Sequence, residues 1–104
     1  MIDLSRNDLA GRYEAHLDGE LAGFADFHVR SDVVVFTHTV VDDRFEGRGV
    51  GSELARFALD DVRSDGRRRV LPRCPFIKAW IQRHPEYEPL VTGASVPTTK
   101  EAQR

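Results

Sequence analysis

The sequence predicts one α/β (α+β) domain: an antiparallel β meander, a glycine loop, a helix, a parallel strand and a second short helix. Three observations carry this. Apolar residues alternate with period two on either side of an Asp18-Gly19 turn. The run Val33-Val34-Val35-Phe36 suits a buried strand, because branched and aromatic side chains pack well on a pleated surface. From Val50 the apolar spacing becomes helical, with Val50, Leu54, Phe57, Ala58 and Val62 on one face and Ser52, Glu53, Arg56, Asp60 and Arg63 on the other.

Taken in order, residues 1–7 read as a flexible lead-in and 8–91 as the folded domain. Arg12–Leu17 is a strand; Asp18-Gly19 turns it, since both residues tolerate positive φ. Glu20–Val29 returns as a second strand, and Ser31-Asp32 leads into a third at Val33. After Asp42-Asp43, the stretch Arg44-Phe45-Glu46-Gly47-Arg48-Gly49-Val50-Gly51 is too rich in glycine for a strand or helix interior. Gly66 stops the following helix. Residues 68–71 then suit a strand parallel to the third, because a helical crossover joins them. Phe76, Ile77, Trp80 and Ile81 give a second helix with Pro75 at its first position, ended by His84-Pro85. Residues 86–91 pack back through Tyr87 and Leu90, and the small, polar residues 92–104 read as a disordered tail.

Composition narrows the function classes. With 104 residues, 31% of them charged, and a net charge of −2, neither a nucleic-acid binder nor a membrane-surface protein is indicated. The Arg67-Arg68-Arg69 cluster is short and reads as a solvated edge. No apolar run approaches a bilayer span and no signal-peptide pattern opens the chain. One cysteine, Cys74, allows no intrachain disulfide and offers no zinc framework, so no metal is expected and a reducing cytoplasm fits.

A strand, a glycine turn and a helix N-terminus together make an anion site, because free amides and the helix dipole converge there. Arg44 and Arg48 add two guanidinium groups suited to phosphate. The turn has neither the Gly-Lys-Ser/Thr ending of a phosphate loop nor dinucleotide-fold spacing, its glycines standing at 47, 49 and 51. A turn that merely needs glycine is the plainer alternative.

The stretch Arg44–Gly51 followed by Ser52-Glu53-Leu54 resembles the acyl-CoA pyrophosphate loop of the GNAT N-acetyltransferase superfamily. One register of that pattern uses Arg44, Gly47 and Gly49; the other uses Gly49 and Gly51 but places Glu46 where Gln or Arg is usual. A second stretch, Arg73-Cys74-Pro75-Phe76-Ile77-Lys78 through His84-Pro85-Glu86-Tyr87, is similar to the small single-domain GNAT-like proteins of the YjdJ type. The resemblance spans roughly residues 8–91. It implies acetyl-CoA or coenzyme A as co-substrate, gripped by Arg44, Gly47, Arg48, Gly49, Val50 and Gly51, with the backbone of Val40 and Val41 pairing the pantetheine amides. It implies an amine acceptor, either a small molecule or a peptide, and a monomer or weak homodimer. Larger relatives build the acceptor site with helices ahead of the first strand, so here the acceptor pocket is expected to be very open, shared between subunits or absent.

Two residues are the candidates for chemistry. Cys74 falls at the N-cap of the second helix beside Arg73, a setting that favours a nucleophilic thiol; by the resemblance it lies near the acyl end. Its alternative is a small buried capping residue. His38, at the end of the third strand, is the candidate base, since imidazole titrates near neutrality; a histidine satisfied within the sheet is the alternative. Many relatives carry an acidic residue after the His-Thr pair, where this chain has Val40. His84 stands about 15 Å along the helix from Cys74 at 1.5 Å per residue and reads as a C-cap group. Two readings follow: an N-acetyltransferase acting on an amine, or a GNAT-like module that binds CoA without chemistry.

Overall fold

The computed structural model describes residues 2–92. Five strands form one sheet in the order β1 (Ile2–Asn7), β2 (Arg12–Leu17), β3 (Glu20–Arg30), β4 (Val33–Val41) and β5 (Arg69–Pro72). The first four run antiparallel, and β5 lies parallel to β4 after the crossover helix α1 (Val50–Asp65). Helix α2 (Pro75–Arg83) follows, and short 3-10 helices cover Asp43–Phe45 and Pro85–Leu90.

The expected lead-in is instead a strand. Ile2 and Leu4 pair with Leu17 and Ala15 and pack against the core, while Arg6 reaches Asp61 of α1 at 2.6 Å. Two apolar residues in alternation supply enough burial once β2 offers a partner, a cooperation no local pattern reveals. Most of the expected tail lies outside the described residues; Thr92 itself donates its amide to the carbonyl of Val70 at 2.8 Å.

Both helices pack on one face of the sheet. Leu54, Ala58, Val62, Ile77 and Trp80 join Tyr13, Ala15, Ala25, Phe36 and Val70 in a single buried cluster. Helix α1 sits very close to β3 because Gly23 has no side chain: a Cβ there would lie 2.7 Å from the Val40 carbonyl oxygen and 3.1 Å from Val50 Cγ1. At its far end α1 stops at Gly66, whose left-handed backbone (φ 75°) returns its amide to the Val62 carbonyl. Tyr87 is buried against this body, its hydroxyl donating to Asp60 at 2.6 Å.

One irregularity decides which residues face the helices. Phe27 pairs with Phe36 but Asp26 pairs with His38, so Thr37 is an extra residue, a β-bulge. Strict alternation from Val34 and Phe36 would put His38 and Val40 on the helix face. The bulge instead leaves both exposed and turns Thr39 and Val41 inward.

Candidate functional site

The glycine turn builds the N-terminus of α1 as follows. Gly47 and Gly49 adopt left-handed backbone (φ 82° and 79°), with open space where a Cβ would project. Gly49 is the N-cap, and the first helical bond runs from the Glu53 amide to its carbonyl at 3.0 Å. The amides of Val50, Gly51 and Ser52 therefore have no intrahelical acceptor, and no side chain caps them. Gly51 is glycine for another reason. A Cβ there would lie 2.8 Å from Cζ of Phe76, so the aromatic ring of α2, not a ligand, takes the space.

Beside this turn lies a cleft of about 560 Å³, lined by Val41, Phe45, Glu46, Gly47, Gly49 through Ser52, Phe76, Trp80, Arg83 and His84. Its far wall is held by polar contacts. Trp80 Nε1 donates to Ser52 Oγ at 2.9 Å, tying α2 to the first turn of α1. The His84 ring stacks on Trp80 at 3.7 Å, and its Nδ1 lies 2.8 Å from the Trp80 carbonyl oxygen. A carbonyl only accepts, so Nδ1 carries the hydrogen of this contact.

The two loop arginines occupy different settings. The Arg44 guanidinium bonds Asp42 at 3.2 Å and Glu20 at 2.9 Å, and holds the Asp42 carboxyl below the usual carboxylate range. Arg48 is exposed, with its guanidinium 5.9 Å from the Phe45 ring centre. Neither lines the cleft; the arginine that does is Arg83. The sequence reads Trp80 as part of the apolar face of the second helix and His84 as its C-cap group, as the structure has them, and assigns Arg83 no role, because each fits the pattern of an ordinary helix. Their only signal is that α2 must pack near residues 49–52 if β5 runs beside β4.

Ladder pairing between β4 and β5 ends at Phe36 and Pro72, yet β4 continues to Val41. The strands part there: the amides of Arg73 and Cys74 both turn back to the Phe36 carbonyl at 3.0 Å, and α2 begins. Residues 37–41 thus have no partner strand on that side, and the gap opens toward the cleft at Val41. Cys74 stands at the α2 N-cap as read from the sequence, 3% exposed, its thiol 3.3 Å from Thr39 Oγ1. His38 is the neighbour of Thr39 and points to the opposite face, across from Asp26. The structure brings Cys74 to the split with Thr39 and keeps His38 away from it. Among the described residues no cluster of potential metal ligands occurs, and no helix is long and apolar enough to cross a membrane.

Residues 12–90 match the family model for GCN5-related N-acetyl-transferases. A GCN5-like protein from Staphylococcus aureus superposes with a TM-score of 0.67 over 95% of this chain and 96% of its own, at 16% identity. A GNAT-family acetyltransferase from Streptococcus pneumoniae gives 0.57 at 20% identity, over 72% of this chain and 52% of that one. The ribosomal-protein-S18-alanine N-acetyltransferase of Escherichia coli gives 0.55 at 21% identity, over 59% of this chain but only 39% of that enzyme. No curated protein matches. A four-stranded meander, a glycine turn opening a helix, a parallel strand that splays from its neighbour, and a family match over most of the length agree: the chain belongs to the GCN5-related N-acetyl-transferase family.

Proposed function

We propose that this protein transfers an acetyl group from acetyl-CoA to an amine, either a small molecule or a peptide. The observation that carries the reading is the open N-terminus of α1. Unpaired amides at residues 50–52 and two left-handed glycines face a cleft of a size that suits an extended cofactor. Those amides hold the pyrophosphate, with Gly47 and Gly49 allowing its close approach. Val40 and Val41, on the run of β4 that pairs with β3 but not with β5, offer backbone groups to the pantetheine; Arg48 adds positive charge at the mouth of the loop, and Arg44 reaches a phosphate by leaving Asp42 and Glu20. The co-substrate supplies an activated thioester; the chain's part is to position it and to admit the acceptor.

Cys74 is the residue at the split able to take the acetyl group, forming a thioester as the CoA thiolate leaves with the cysteine proton. His38 serves as base only for an acceptor arriving on the other face of the sheet. A second reading, CoA binding without transfer, has one observation in its favour: the Cys74 thiol is buried against Thr39 and, among the described residues, forms no hydrogen bond with an imidazole or carboxylate.

Two measurements test the proposal. Gly49→Asp should bind CoA at least about tenfold more weakly than Gly49→Asn, which tolerates the same backbone but adds no charge beside the phosphates. Equal affinities in calorimetry would refute the assigned loop. Intact-mass spectrometry after incubation with acetyl-CoA should show an acetyl adduct that is absent from Cys74→Ser. An adduct that persists in that variant removes Cys74 from the route. Binding with no adduct, and no product from a panel of amines, favours the module that only binds.

A further inference from the structure

The sheet face away from the helices carries a second cavity, and we propose that it binds a small anionic ligand with an apolar body, a carboxylate or a phosphate monoester. Register puts its walls together. His28, Val35 and Leu71 stand side by side across β3, β4 and β5, and Arg30, Val33 and Arg69 form the next rung. Alternation places both rungs on the face opposite Val34 and Val70, which belong to the helix-side core. Arg73 follows Leu71 at the same parity, so Arg30, Arg73 and His28 stand around a floor of Val33, Val35 and Leu71, with Arg69 on the neighbouring rung. A cavity of about 550 Å³ is lined by all of these except Arg69.

The charge is one-sided. No carboxylate lines the cavity among the described residues, and Asp32, though between Ser31 and Val33 in the chain, is not part of its wall. Arg30, Arg69 and Arg73 form no ion pair with a described residue, whereas Arg6, Arg12, Arg44, Arg63, Arg67 and Arg68 all do. In a chain of net charge −2, two unmatched guanidinium groups, Arg30 and Arg73, lining one hollow mark a place where an anion gains most. The floor adds a demand of its own. Val35 is 3% exposed, and Val33 and Leu71 are half-buried, so an apolar portion of the ligand covers surface that water otherwise meets. A compact hollow with so few cations suits a small molecule rather than a nucleic-acid backbone. It lies on the other side of the sheet from the α1 cleft, so both can be filled together, and the proposal does not depend on acetyl transfer.

The test uses the full chain, labelled with 15N, and three probes of equal length: octanoate, octyl phosphate and octylamine. Octanoate or octyl phosphate should shift the amides of residues 28–35 and 71–73 and leave those of residues 47–52 in place; whichever binds more tightly identifies the head group. Octylamine, matched in its apolar body, should bind at least about tenfold more weakly. Arg30→Gln and Arg73→Gln, both exposed and each checked for an unchanged spectrum elsewhere, should each weaken the anion. Saturating CoA should leave the octanoate titration unaltered. Equal binding of octylamine, absence of shifts at millimolar probe, retention of full affinity in both variants, or displacement by CoA would each overturn the proposal.

Discussion

Single residues divide here by what occupies the space next to them. Gly47 and Gly49 are glycine because their backbone is left-handed, and this need was legible in the sequence from the crowding of glycines before a helix. Gly51 and Gly23 are glycine because a neighbour sits where a Cβ would be, and that was not legible, since the neighbours come from elements far away in the chain. The distinction is measurable. Gly51→Ala should fail to stabilise the protein, because Phe76 must move, even though alanine is favoured over glycine within helices by about 1 kcal/mol. In a Phe76→Ala background, where the obstacle is gone, the same change should stabilise by up to about 1 kcal/mol in urea unfolding. Equal effects in both backgrounds would show that the ring yields freely. Phe76 is 37% exposed, so the obstacle is a side chain rather than backbone and the cost is modest.

Among the elements, the contact between α1 and α2 does most to shape the cleft. Ser52, an exposed position in the first turn of α1, is engaged by Trp80 from α2. Trp80 is 1% exposed, so Ser52→Ala leaves a buried N–H without its partner and should cost about 1–3 kcal/mol. The accompanying loss of order is checked by amide exchange at residues 49–53. Little or no loss of stability would mean that another acceptor replaces the hydroxyl. The order of β2 to β5, the crossover and both helices could be read in advance, because alternation, helical spacing, Pro75 and Gly66 are local signals; β1 could not, since its burial depends on β2. The extra residue at Thr37 could not. Its cause is the pairing of β3 with β4, and β4, the strand that bulges, carries no glycine or proline to announce it. The misplacement of His38 relative to the thiol follows from that one unseen feature.

At the scale of the whole molecule, ionisation limits the stability range from both sides. Hydrogen bonds from Arg12 and Asn7 hold the Glu14 carboxyl below its ordinary value. Its contribution is therefore present above the carboxylate range and lost as pH falls through it. Burial, with the bond to Asp61, pushes the Tyr13 hydroxyl up. That contribution is complete below about pH 10, the ordinary tyrosine value, and is lost as pH rises beyond it. Urea midpoints measured across pH should fall on both flanks. Glu14→Gln should flatten the acid flank and Tyr13→Phe the alkaline one, the latter costing about 1 kcal/mol at neutral pH. An acid flank unchanged in Glu14→Gln would assign that loss to other carboxylates.

The bulge at Thr37 has one more consequence. His38 and Cys74 serve opposite surfaces because of how many residues β4 has against β3, not because of what those residues are. Exchanging side chains at either position changes reactivity but never the surface it is offered to. Within this scaffold the histidine at position 38 and the thiol meet only if strand length changes, so their separation is an arithmetic property that exchanging either side chain leaves untouched.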